Sequence, residues 1–496
     1  MRLQDTSRAA SPTLRTYPVT EKDGRLAMEA DEKLAADNVS EELVEYPEGV
    51  KLVLISLALC LSVFLVALVR PQRIIATAIP KITDQFKSLD DVGWYGSTRY
   101  LLTTAAFQLL FGRFYSFLSM KWVYIGAISV FELGSLICGV APNSNALIVG
   151  RAIAGLGSAG IFTGALIIVA NSVPLGKRPM YTGLIGAMYG IASVAGPLLG
   201  GVFTDRVTWR WCFYINLPIG AVTLIVITIF FKPPGAVRKT EAMRLTDRIQ
   251  QFDPLGTIVF IPAIVSLLLA LQWGGSKYPW SNGRIIGLFV VFGVLISTFI
   301  GIQIWKQDLA TVPPRILKQR SIMAGAWFSL CLGSSFFIFV YFLPIWFQAI
   351  KGVITAVGYY TPFMIASTVL MAVIYGLGIG FGMQQPIMAA QTVLSLQDIP
   401  TGTSLIMFMQ TLGGALFISV GQNVFTNKLV SGLASQVPGV NPAIVLSAGA
   451  TSLRDSIDAL ISAFYVSVAM ACLSLVGSSA IEWKSVKGKN IEMAMG

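Results

Sequence analysis

Apolar runs of about twenty residues recur along nearly the whole chain, from Leu52 to Ile481, separated by short connections that hold the basic residues. Each run has the length of a helix that crosses a ~30 Å hydrocarbon core. Inside lipid a backbone must satisfy its own hydrogen bonds, so helices are the economical use of such runs. Composition agrees. The chain is 54% hydrophobic and 12% charged, whereas a soluble domain carries roughly 25% charge. The expected fold class is an all-α polytopic membrane protein.

Spans are expected at 52–69, 93–112, 122–140, 146–170, 180–202, 212–231, 254–272, 285–304 and 322–348, then, after a long uncharged stretch, at 403–425 and 460–481. Connections after the even-numbered spans hold Arg113 and Lys121, then Lys177 and Arg178, then Lys232, Arg238, Lys239, Arg244 and Arg248, then Lys306, Arg315, Lys318 and Arg320. Residues 141–145, after the third span, hold none. Positive charge marks cytosolic loops, so both termini are expected inside the cell. The expected organisation is a disordered cytosolic tail (1–50), a six-span bundle (51–231) and a basic cytosolic linker (232–253). The remaining spans (254–482) include a second bundle, and a cytosolic tail (483–496) follows.

Several function classes drop out. The net charge of +11 is dispersed rather than gathered in a stripe with aromatics, so no nucleic-acid partner is expected. Histidine is absent, which removes the commonest metal ligand and the easiest proton shuttle near neutral pH. Cys60, Cys138, Cys212, Cys331 and Cys472 lie singly, without zinc or disulfide spacing. No metal, cofactor or enzymatic nucleophile–base set is expected. There is no Walker lysine motif, so energy would come from an ion gradient and not from direct ATP coupling.

Charges within spans are costly and point to function. Arg151, in LIVGRAIAGLGSAG (147–160), either faces a polar interior with a partner or snorkels at the interface. Glu132 is the clearest acid within a span. It either loads and releases a proton or pairs with Arg151, and a pair that opens would do both. The run 183–201, GLIGAMYGIASVAGPLLGG, combines a small-residue face with a helix-kinking proline at Pro197. Asp205, Arg206 and Arg210 read as an interfacial charge cluster or a solvated loop. Trp346, Gln348, Gln384, Gln385 and Gln410 are candidates for a substrate cavity or for helix–helix hydrogen bonds.

At these residues the chain resembles the major facilitator superfamily, and within it the fungal fourteen-span drug:proton antiporter branch. The 147–160 run is similar to a span-four motif whose arginine, here Arg151, is linked to proton coupling. Gly183, Gly196, Pro197, Gly200 and Gly201 match the span-five antiporter motif, with Ala192 where a glycine is usual. TWRWCFYINLPIG (208–220), YFLPIWFQAIKG (341–352) and GLGIGFGMQQP (376–386) resemble mycotoxin and secondary-metabolite efflux pumps. The resemblance implies two helical bundles around a central cavity, with twelve or thirteen spans here against fourteen in relatives. It also implies proton-driven efflux of small hydrophobic or amphipathic compounds by rocking of the bundles, with protons, substrate and the bilayer as partners. A plasma-membrane location is expected, with the vacuolar membrane as the alternative.

Departures from that pattern matter. Where the branch carries an acid after the position of Leu68, this chain reads Val69-Arg70-Pro71-Gln72-Arg73, and Arg99 intrudes into span two. Residues 112–121 lack the aspartate of the general superfamily loop. Between Lys351 and Asp398 there is room for two spans of ~20 residues rather than three. Losing span ten breaks parity, and three resolutions stand: an inverted span, two segments merged into one long broken helix, or lost coding sequence, which is the favoured one. Besides an exporter, a siderophore or vacuolar amino-acid transporter of the same fold and a transport-dead membrane protein stay open.

Overall fold

The computed structural model describes residues 46–69, 74–75, 77–86, 98–233, 251–275, 278–357, 376–436 and 453–482. Side chains of 80, 98–99, 343–357, 376–377, 429–436 and 453–460 lie outside that description. In chain order the helices are α1 (Gly49–Leu68), α2 (Ile79–Phe86), α3 (Thr98–Phe117), α4 (Met120–Val140), α5 (Ser144–Ser172), α6 (Arg178–Arg206), α7 (Trp211–Tyr214) and α8 (Asn216–Phe230). There follow α9 (Pro254–Trp273), α10 (Gly283–Lys306), α11 (Pro314–Leu317), α12 (Arg320–Val357), α13 (Gly376–Gly382), α14 (Gln385–Val393), α15 (Ile399–Gln436) and α16 (Leu453–Ala480).

Among the described residues, ten helices are long and apolar enough to cross a membrane. The all-α membrane architecture is therefore as expected. The helix expected as the second span is α3, which is not among those ten; it runs on through Arg113 to Phe117 instead of stopping at 112. Helix starts follow capping chemistry. The Asn143 side chain accepts from the Ala146 N–H at 2.9 Å at the head of α5, and that of Asn282 accepts from the Arg284 N–H at 2.9 Å at α10. Pro218 falls in the first turn of α8, where a missing N–H removes no helical bond.

In the first half, α1 packs on α6 and α8, α3 on α5, and α4 on α5. The α4–α5 contact is backbone to backbone: a Cβ on Gly157 would stand 2.5 Å from the Phe131 nitrogen, and one on Gly150 2.9 Å from the Cys138 nitrogen. Such small-residue seams suit a setting where lipid supplies no hydrophobic drive between helices. In the second half α12, α15 and α16 pack together, with α14 laid against α12 and α15. The halves meet where α3 packs on α15. There Ser116 and Thr401 share a hydrogen bond of 3.3 Å. Helix α9 also packs on α3 and α15, while α10 turns most of its surface outward.

Span nine is expected to end at 348, yet α12 continues past Pro344 and Lys351 to Val357 as one helix of 38 residues. Residues 358–375 lie outside the description, and α13 and α14 beyond them are separated at Met383 and Gln384. Helix α6 carries Pro197 in its interior and continues unbroken to Arg206.

Candidate functional site

Arg151 sits in the first half of α5 and is 1% exposed, so it does not snorkel. Its Nη1 donates to the Val69 carbonyl at 2.9 Å, at the end of α1. Its guanidinium lies 4.8 Å from the centre of the Tyr100 ring on α3, and the Tyr100 hydroxyl donates to the Val66 carbonyl at 3.3 Å. Arg151 thus ties α5 to α1 and α3. One turn on, a Cβ at Gly155 would meet the Thr103 hydroxyl and the Tyr100 carbonyl. Arg70, Pro71, Gln72 and Arg73, which replace the family's acid, lie outside the described residues, as does the side chain of Arg99.

Glu132 on α4 is also buried, at 9% exposed. It does not pair with Arg151. Its carboxyl faces Gly220 of α8, where an added methyl would collide with Oε1. Neither carboxyl oxygen has a hydrogen-bond partner among the described residues. One turn away on each helix, Asn216 Nδ2 donates to Ser135 Oγ at 3.1 Å. The two charged candidates therefore face different neighbours, Arg151 toward α1 and α3 and Glu132 toward α8.

Between the halves, about midway along α3 and α5, lies a narrow cavity with about 10 Å³ of water-accessible space, room for roughly one water. The first half contributes Thr104, Gln108 and Ser158; the second contributes Gln410 and Thr411; Tyr189, Phe162, Phe337, Met383 and Met407 supply aromatic and thioether surface. Thr104 Oγ1 is 2.8 Å from Ser158 Oγ, and Gln108 Nε2 donates to the Ala159 carbonyl at 3.3 Å and to the Thr163 hydroxyl. Gln410 is the predicted cavity residue that lines it. Gln384 sits at the α13–α14 break, its amide 3.1 Å from where a Cβ on Gly186 would stand. Gln385 next to it is exposed and does not line this cavity. The side chains of Trp346 and Gln348 lie outside the described residues. Thr104, Gln108 and Ser158 are not among the residues the sequence singles out, although polar residues one turn apart on α3 are a readable signal.

The small-residue segment divides by face. Ala192, Gly196 and Gly200 are buried in one stripe of α6 with Thr182, Ile185, Tyr189 and Thr204. A Cβ at Gly200 would strike the Ile74 carbonyl and Thr77. Gly183 and Pro197 are exposed, and a Cβ on Gly183 or Gly201 would meet nothing within 4 Å. Asp205, Arg206 and Arg210 do not form ion pairs with one another. Asp205 pairs with Lys81 of α2 at 3.2 Å, and Lys81 also donates to the Thr204 carbonyl. Arg210 Nη1 donates to the Gly139 and Ala141 carbonyls, each at 2.8 Å, closing the end of α4.

A polar hub built on Asp253, at the end of the expected linker, lies at the basic face. Asp253 caps α9 from a left-handed backbone conformation (φ 47°) and is wholly buried. Its Oδ1 accepts from the Gly256 N–H at 3.0 Å and lies 2.9 Å from Lys306 Nζ. Its Oδ2 accepts from Gln303 Nε2 at 3.0 Å and from the Thr311 N–H and hydroxyl at 2.9 and 2.8 Å. Burial alone would raise this carboxyl, but the donors from Gln303, Lys306, Gly256 and Thr311 outweigh it and hold it at about 2. The connection fixed in this way carries Arg315, whose guanidinium grips Asp398 through two bonds of 2.8 and 3.1 Å and Asp308 at 3.2 Å. Burial works against the charge of Asp398 too, yet the bonds from Arg315 and Ser395 keep it below the usual carboxylate range. Arg113 of α3 reaches the same connection through the Asp308 carbonyl at 3.5 Å. The arrangement joins the heads of α9 and α15 and the end of α3 at one face.

A sequence model of the Major Facilitator Superfamily matches residues 55–418. The chain is 54% identical over 525 aligned positions to the "MFS-type efflux pump MFS1" of Arthroderma benhamiae, covering 93% of this chain and 97% of that protein. It is 49% identical to "Efflux pump roqT" of Penicillium rubens, over 87% of this chain and 91% of that one. With "Efflux pump aflT" of Aspergillus parasiticus it shares 48% identity, over 90% and 98%. Among solved structures, the human organic anion transporter MFSD10 superposes with a TM-score of 0.50 at 12% identity, covering 87% of this chain and 100% of that one, a likeness of fold. The 525 aligned positions outnumber the 496 residues of this chain, so stretches of the first relative have no counterpart within it.

Proposed function

The chain belongs to the Major Facilitator Superfamily, and from that premise we propose that it is a proton-driven exporter of small hydrophobic or amphipathic compounds, such as drugs, toxins or secondary metabolites. The observation that carries this reading is the cavity between the two halves. It sets hydroxyl and amide groups of Thr104, Gln108, Ser158 and Gln410 among aromatic and thioether side chains. Such a lining offers apolar contact with a few oriented polar groups, the usual make-up of a small-molecule site. In alternating access this space opens to one face and then the other as the halves rock. The basic face is cytosolic in this reading, and the joints at Ser116–Thr401 and Arg113–Asp308 hold that side shut when the cavity faces out. Arg151 supports coupling by holding α5 against the end of α1, and Glu132 takes the proton. The close packing of Ala192, Gly196 and Gly200 helps to seal the bundle against leak. The expected location is the plasma membrane.

The test is efflux of a preloaded fluorescent hydrophobic dye from energised yeast cells expressing the chain, with surface protein measured in parallel. Efflux that a protonophore abolishes, and that Arg151→Ala abolishes at unchanged surface level, is the expected result. Wild-type efflux from Arg151→Ala would remove that residue from the scheme. No gradient-dependent efflux from correctly inserted wild-type protein would favour the transport-dead reading, which the unmatched stretches of the alignment keep in play.

A further inference from the structure

Three buried acceptor atoms on the packed helices α4 and α8 have no donor among the described residues. They are Oε1 and Oε2 of Glu132 and Oδ1 of Asn216. Glu132 is 9% exposed and Asn216 wholly buried. The two are linked through one face of each helix: Ser135, one turn from Glu132, receives the Asn216 amide at 3.1 Å, and Gly220, one turn from Asn216, lies against the Glu132 carboxyl. Buried polar atoms are nearly always partnered, and unmatched acceptors within one turn of each other on two packed helices call for something that supplies positive charge or hydrogen.

Among the described residues no side chain supplies it. Arg151 on α5 donates to the Val69 carbonyl. Lys121, at the head of α4, donates to the Thr228 carbonyl at 2.6 Å. Tyr124 on α4 shares its hydroxyl with Ser62 of α1. Arg210 beside α7 donates to the Gly139 and Ala141 carbonyls. Cys138 donates toward the Leu147 carbonyl at 3.7 Å. Cys212 and Tyr214 are the remaining titratable groups of α7, and Tyr214 lies against Gly139. None of these pairs with the carboxyl, and α8 itself has no ionisable residue.

We propose that Glu132, Ser135 and Asn216 form a proton-binding site at the α4–α8 interface, separate from the central cavity. A proton on one Glu132 oxygen turns that oxygen into a donor aimed at the acceptor face of Asn216, while Ser135 fixes the Asn216 amide the other way round. Loss of the proton leaves the three acceptors facing one another, which favours parting of α8 from α4. Proton and exported compound then occupy different places. Coupling runs through helix packing and not through competition for one pocket. This rests on the export reading for its use, but not for its existence.

The experiment is a pH titration by attenuated-total-reflection infrared spectroscopy of the full chain in lipid, with no transport substrate. The expected result is a protonated-carboxyl band that comes and goes between pH 4 and 10, is lost in Glu132→Gln and shifts in Asn216→Val. An unchanged spectrum in Glu132→Gln overturns the proposal, as does a band that never titrates. Abolition of the band by sodium chloride at constant pH overturns it in favour of a sodium site. If Glu132→Gln fails to fold, Gly220→Ala, which sets a methyl against the carboxyl, must shift the band, and an unshifted band overturns the site. Dye efflux with no such band would leave the exporter standing and sink this site; the band without efflux would do the reverse.

Discussion

Replacing Asp253 with Asn tests the hub with the least change of shape. Asn tolerates the left-handed backbone found here and keeps the side-chain volume. One acceptor oxygen becomes an NH2, and both oxygens face only donors. Turned toward Gly256 and Lys306, the new nitrogen removes a helix cap of ~1 kcal/mol and a charge-assisted bond of ~1.5–3 kcal/mol. Turned the other way, it confronts Gln303 and Thr311 and strands a buried backbone N–H, at ~1–3 kcal/mol. Either way Lys306, whose side chain is 15% exposed, loses its counter-charge. A loss of about 3 kcal/mol is expected. It would be read as a lower urea midpoint at unchanged slope, by circular dichroism of the purified protein in detergent. A change under about 0.5 kcal/mol, the size of an ordinary surface substitution, would refute the account of the hub. The pH dependence has a definite sign. The folded carboxyl is held down at about 2 and the unfolded one titrates near ~3.9, so its stabilisation is complete above that unfolded value and fades as pH falls toward 2. Between pH 5 and 9 the difference between wild type and variant should stay constant.

Two further outcomes are expected. Gly155→Leu drives a side chain into Thr103 and the Tyr100 carbonyl; overpacking of this kind costs ~1–3 kcal/mol, and an unshifted thermal midpoint would show that α3 and α5 do not pack as described. Gly112→Leu sets a wedge against Ser404 on α15 and should part the halves at the basic face, so that a cysteine placed at Ser116 reacts several-fold faster with a membrane-impermeant maleimide in inside-out vesicles. Equal labelling rates would contradict the closed α3–α15 joint.

What could be read from the chain followed its physics. Apolar run length disclosed the helices, because a bilayer leaves the backbone few alternatives, and Glu132 and Arg151 stood out because charge is rare in such runs. Direction was not legible. A helix turns ~100° per residue, and nothing in the sequence says that Glu132 looks at α8 while Arg151 looks at α1. The same rotation separates Gln384 from the exposed Gln385. Partners far apart in sequence were hidden too. Asp205 had two cations within five residues, yet it pairs with Lys81, 124 positions earlier. Asp253 looked like the end of a basic linker because Gln303, Lys306 and Thr311 join it only after the α9–α10 hairpin folds back. Gln108 lies in the span of lowest apolar character, α3, whose burial comes from its neighbours α5, α9 and α15.

Helix α12 has 38 residues, which at ~1.5 Å each is ~57 Å. Tilt alone cannot fit that rod into a ~30 Å hydrocarbon layer, since membrane helices lean by ~0–40°. Its first residue, Arg320, starts near the basic face, so about 27 Å of this helix is more than one upright crossing uses.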